Sequence, residues 1–181
     1  IGIGMLVMLA WPARADKSVR MGIAGALRDC TLLIDASVSR WFGQDEPEGT
    51  EAARSKLRAG TTAVAAALAD RSHERAGAWD ASVYSTLMAD LNDAMVTARR
   101  VDRVAEHQPG DALYTGVSDP FSASVEACRL VADEVANALE SGTRVDRKSL
   151  LESADGLSSV PTAIQAALEQ LRESHVTPNA S

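Results

Sequence analysis

The sequence predicts an all-α protein: an antiparallel helical bundle of four to five long helices, preceded by the end of a transmembrane helix. Three observations carry that prediction. Apolar residues recur at alternating steps of three and four over several long stretches, the period of a single helix face. Aromatic residues make up only 4% of the chain while Ala, Leu and Val are abundant, a composition suited to helices packed through small side chains rather than to a β-sandwich. Finally, Ile1 to Trp11 (IGIGMLVMLAW) is an uncharged run, followed at once by Pro12 and the basic residues Arg14, Lys17 and Arg20.

About 20 apolar residues are needed to cross roughly 30 Å of hydrocarbon. The opening run is shorter, so residues 1–12 read as the end of a membrane helix whose remainder lies upstream. Trp11 stands where interfacial aromatics anchor, and the basic residues come after the run, as they do where a helix emerges on the cytoplasmic side. Trp11, Arg14, Lys17 and Arg20 are therefore the expected membrane-interface residues, each cation contributing about 1 kcal/mol near anionic headgroups. The competing reading is an export signal: the run has the length of an apolar signal core, and Ala13-Arg14-Ala15 fits an A-x-A cleavage site, but the basic start is missing; a buried soluble helix is the third reading. Gly2-Ile3-Gly4 is not a dinucleotide fingerprint, because no strand precedes it and no third Gly follows at the right spacing. In a membrane helix such glycines admit close neighbours.

Residues 13–175 are expected to form one helical bundle domain. The first helix spans Ala13 to Phe42, with a buried stripe of Val19, Ile23, Ala26, Cys30, Leu33 and Ser37, widened by Leu27, Ile34, Val38 and Trp41. Gly22 and Gly25 within it point to close contact with another helix near the membrane, with a simple flexible spot as the alternative. Gly43 suits a helix end, and Pro47 is expected to stop any continuation. Thr50 is the expected N-cap of the second helix, which runs to about Arg71 through Leu57, Val64 and Leu68. Its Ala63, Ala65, Ala66, Ala67 and Ala69 are expected to let a neighbour pack close.

Asp80 caps the third helix, which reaches about Gln108. Its stripe (Tyr84, Leu87, Leu91, Ala94, Ala98, Val101, Ala105) has coiled-coil spacing, with Asp90, Asp93, Arg99, Arg100, Asp102, Arg103 and Glu106 outside. Arg99, Arg100 and Arg103 could form an anion site, but interleaved acids favour a solvated mixed-charge face. A turn-rich connection from Gln108 to Ser118 precedes a fourth helix, with Asp119 at the N-cap, Pro120 at N1 and Ser141-Gly142 at the end. Its apolar stripe is Phe121, Val125, Cys128, Ala132, Val135 and Leu139. A short helix over Arg147 to Ser153 and a last helix from about Pro161 to Leu171 complete the domain, and 176–181 is a polar tail expected to be disordered.

The chemistry that would mark an enzyme is not apparent. His73, His107 and His175 are well separated, and none has a second ligand at i+3 or i+4. There is no Walker loop, no C-x-x-C and no nucleophile elbow. Asp133 and Glu134 are adjacent and cannot share a helix face, while Asp90 and Asp93 can share one that is expected to be solvated. Cys30 and Cys128 fall on apolar helical positions and read as buried free thiols, with a disulfide as the alternative in an exported protein. A net charge of −7 argues against a broad nucleic-acid surface. No catalytic residue, cofactor or metal ligand is assigned, and the chain is read as a non-enzyme.

Two resemblances add to this reading. Ser72-His73-Glu74-Arg75 is similar to the phosphoacceptor box of histidine kinases, but the residue order departs from it and the following Pro is absent; a polar inter-helix corner is the stronger reading. The junction GIGMLVMLAWPARADKSVRMGIAGALRDCTLLI resembles the end of the transmembrane half of the fusaric-acid-resistance, or aromatic acid exporter, family. Arg99 to His107 is similar in style to the long helices of that family's cytoplasmic domain. The resemblance implies the helical domain of an inner-membrane permease or efflux protein, cytoplasmic in location, that supports or gates transport. The implied partners are the lipid bilayer, upstream transmembrane helices and a second copy of the chain. The transport path lies in membrane helices outside this sequence, so no transport residue carries over. The alternative is an exported helical-bundle binding or sensor module.

Overall fold

The computed structural model describes residues 17–43, 47–73, 81–107, 118–143 and 148–152, with further helical positions at 162, 165–166 and 169. The expected membrane end, the A-x-A site, most of the last helix and the tail lie outside the described residues. Four long helices follow one another: α1 (Lys17–Trp41), α2 (Pro47–His73), α3 (Ala81–His107) and α4 (Ser118–Ser141). No strand occurs among the described residues, and the all-α bundle is as the sequence predicts. None of these helices is long and apolar enough to cross a membrane.

The arrangement is three helices around one. Among the described residues, α1 packs along α2, α3 and α4, whereas those three make no backbone-level packing with one another. The stripe expected for α1 is the buried one: Val19, Ile23, Ala26, Cys30, Leu33 and Ser37 are all buried, joined by Ala24 and Val38. One core cluster draws Val19, Ile23, Ala24 and Ala26 from α1, Val64 from α2, Leu87 and Leu91 from α3, and Ala136 and Leu139 from α4. A second joins Cys30 and Leu33 to Ala53, Leu57 and Ala98. Trp41 meets Phe121 edge-on at 5.6 Å, so the end of α1 lies beside the start of α4. The hydrogen bonds of Arg28 to Asn137 and Glu140 fix the same antiparallel order. Beyond α4, Leu150 of residues 148–152 covers Ala138, Val131 and Val135.

Three expectations need correction. The second helix opens at Pro47, three residues ahead of the expected cap, and Thr50 is a wholly buried residue inside it. Pro lacks an N–H and has a helical φ, so the first turn accommodates it; here it starts a helix rather than preventing one. Ala67 packs against the core as expected, but Ala63, Ala65 and Ala66 face solvent, and the closest approaches of α2 to α1 fall at glycines. A Cβ added to Gly22 would lie 3.0 Å from Val64 Cγ2, and one added to Gly60 would lie 3.8 Å from Ala26 Cα. Gly25 has open space around it, so of the two α1 glycines only Gly22 serves helix contact. Because α2 packs along one helix, much of its circumference stays wet, and the exposed alanines contribute helix propensity rather than core. Third, Asp102 is only 9% exposed and belongs to the interior, not to the outer face of α3.

Both glycine stops act as expected. Gly43 and Gly142 have φ of 69° and 70°, the left-handed conformation that ends a helix without a Cβ penalty. Their surroundings differ. Gly43 has nothing within 4 Å of an added Cβ, whereas at Gly142 that carbon would collide with Arg20 Nη1. Gly43→Ala is therefore expected to cost about 1 kcal/mol and Gly142→Ala about 2 kcal/mol or more, read from urea unfolding. Equal losses would mean that Arg20 moves aside freely.

Candidate functional site

The richest arrangement of polar side chains is a cleft of about 310 Å³ between α2 and α3. It is built by matched helical spacing. Arg54 and Arg58 stand one turn apart on α2; Arg99, Asp102, Arg103 and Glu106 occupy consecutive turns of α3. Leu33 of α1 and Leu57 of α2, 1% and 2% exposed, form its apolar floor.

Arg54 organises this cleft. Its Nε donates to Asp102 Oδ2 at 2.7 Å and its Nη2 to Asp102 Oδ1 at 2.8 Å, a planar two-point pair. Nη1 and Nη2 also lie 3.3 Å from Glu51 and Glu106 respectively. The hydrogen bonds to Asp102, partly offset by burial, raise the Arg54 pKa above its ordinary value, so the guanidinium is a permanent cation. Behind Asp102, Ser37 Oγ donates to Leu33 O at 2.6 Å and stands 3.4 Å from Asp102 Oδ1. The Asp102 carboxylate thereby ties α3 to α2 through Arg54, with Ser37 of α1 beside it.

A second groove, about 330 Å³, runs between α3 and α4 over the end of α1. Val38, Trp41, Val104, Phe121 and Val125 line it, with Arg100 as its cation. The expected trio Arg99, Arg100 and Arg103 is thus divided: the first and last enter the polar cleft, and Arg100 enters the apolar groove. Arg54 and Arg58 were not singled out in the sequence. The signal that could have found them is the i, i+4 arginine pair on the second helix, which mirrors Arg99 and Arg103 on the third.

A second polar cluster ties α1 to α4. Arg28 bonds to Glu140 and Asn137, and Asp133 lies 3.4 Å from its Nε. The hydrogen bond from Arg28 holds the Glu140 carboxyl below the usual carboxylate range. On α1, burial raises the pKa of Asp29, with Lys56 acting in the opposite direction.

Of the expected interface residues, Trp11 and Arg14 lie outside the described residues. Lys17 is exposed at the start of α1. Arg20 turns inward: its Nε and Nη1 are buried without a hydrogen-bond partner among the described residues, beside Gly142. The C-terminal end of α4 carries partial negative charge, which favours a cation there. Cys30 is a buried free thiol, and burial pushes its pKa up to about 11; Cys128 is free and half-buried, its pKa also raised by burial. Neither has the thiolate character of a reactive cysteine. Among the described residues no group of three or more His, Cys, Asp or Glu side chains could hold a metal ion. Ser72 and His73 close α2, while their side chains, that of His107, and residues 74, 75 and 175 lie outside the described residues.

No protein-family profile, curated protein or solved structure matches the chain.

Proposed function

We propose that this chain is the helical domain of an inner-membrane permease or efflux protein resembling the aromatic acid exporters, and that it supports or gates transport from the cytoplasmic side. The observation that carries this reading is the place of α1. The apolar Ile1 to Trp11 run and the basic residues after it lead directly into the helix around which the rest of the bundle is packed. A displacement of a membrane segment would therefore reach α2, α3 and α4 through one shared partner. Packed helices transmit such shifts because cores deform little. The role is mechanical rather than catalytic, with the bilayer, upstream membrane helices and a second copy of the chain as partners. Lys17 is exposed as a headgroup contact would be, whereas the Arg20 guanidinium lies against Gly142 at the end of α4.

The test is the location of the chain extended upstream, with a reporter fused after Ser181. Retention in the membrane fraction with the reporter on the cytoplasmic side is expected. A soluble product on the far side of the membrane, shortened to begin at Asp16, would replace this reading with that of an exported binding or sensor module cleaved after Ala13-Arg14-Ala15.

A further inference from the structure

Six charged side chains line the polar cleft: Arg54, Arg58, Arg99 and Arg103 against Asp102 and Glu106. The excess is positive in a chain whose net charge is −7. Arg54 is engaged by Asp102, Glu51 and Glu106. Arg58 and Arg99, one from each wall, form no ion pair with a described carboxylate. Two like charges facing one cleft repel each other, and an anion between them relieves that cost.

We propose that this cleft binds a soluble phosphate-type dianion, either inorganic phosphate or the phosphate of a small ester, between Arg58 and Arg99. Three features favour that class. Phosphate carries a charge of about −1.5 to −2 near neutral pH, which matches two cations, whereas a monocarboxylate would leave one uncompensated. Guanidinium forks match phosphate oxygens in pairs. The buried Leu33 and Leu57 floor lowers the local dielectric on one side, which strengthens charge-assisted hydrogen bonds. The cleft's roughly 310 Å³ also falls at the small end of ligand sites and leaves room for a compact ester. The Arg54–Asp102 pair ties the two walls together. An extended polyanion such as nucleic acid is disfavoured by the chain's net charge of −7.

The experiment is calorimetric titration of the full 181-residue chain with inorganic phosphate, at near-neutral pH and at an ionic strength held constant with chloride. Saturable binding at one site is expected. Arg58→Ala and Arg99→Ala are each expected to weaken it about tenfold or more, the effect of losing a hydrogen bond to a charged group. Both side chains are exposed, so neither variant should lose its fold, and thermal melting verifies this. Arg129→Ala, which removes an exposed cation paired with Glu126 and Asp133 on α4, is expected to leave binding unchanged. Absence of saturable phosphate binding, equal loss in the Arg129 variant, or equal binding of succinate would overturn the assignment.

Discussion

Replacing Ile23 with Ala is expected to destabilise the protein by about 3–4 kcal/mol, within the range for truncating a large buried aliphatic side chain. Ile23 is 1% exposed and sits where all four long helices meet: Val64, Leu87, Leu91, Ala136 and Leu139 belong to the same cluster. Ala24, Ala26 and Ala136 in that lining have no side chain long enough to swing into the vacated space, and the larger neighbours are held by their own helices, so the cavity should collapse only partly. The geometry of three helices around one sharpens the effect. The outer helices do not pack backbone to backbone with one another, so a loss at α1 cannot be shared around a ring of neighbours. A single urea transition at a lower midpoint is expected, with helix signal lost from all four elements together. Val96→Ala, at a position 37% exposed on α3, serves as the comparison and should change stability by no more than about 0.5 kcal/mol. Comparable losses in the two variants would refute the central role of α1.

The elements that the sequence reveals are those governed by local rules. The alternating steps of α1 identify its buried residues, Ser37 included, because one continuous apolar neighbour surface imposes a helical period. The ends at Trp41 and Ser141 follow from Gly43 and Gly142, whose positive φ is a single-residue requirement. What the sequence conceals depends on partners distant along the chain. Pro47 and Thr50 have two local readings each, and the structure decides between them by starting the helix at Pro47 and burying Thr50 inside it. Asp102 follows the charged pattern of its own helix and becomes an interior residue only because Arg54, 48 positions earlier, is placed opposite it. The division of Arg99 and Arg103 from Arg100 likewise depends on which neighbour each helix face meets, and periodicity within one helix does not specify that.

The Arg54–Asp102 pair provides the other large effect, and its sign depends on what is removed. Asp102→Ala deletes both short hydrogen bonds to the guanidinium and leaves a cation partly out of water. Breaking a fully buried pair costs about 3–5 kcal/mol. Arg54 retains 20% side-chain exposure and two weaker carboxylate neighbours at 3.3 Å, so a loss of about 2 kcal/mol is expected. Arg54→Ala should cost more, about 3 kcal/mol, because the Asp102 side chain is only 13% exposed and would keep an uncompensated negative charge beside Ser37. Replacing both together, with Arg54→Met and Asp102→Leu, removes the desolvated charges while filling the same space. That variant is expected within about 1 kcal/mol of the parent, since well-packed apolar residues often substitute for buried ion pairs without loss. Urea midpoints of the three variants test the argument. If the double replacement were as unstable as either single one, the pair would be holding α2 to α3 by a directional bond that packing cannot replace. If all three matched the parent, Asp102 would be hydrated in solution and α2 would rest on α1 alone.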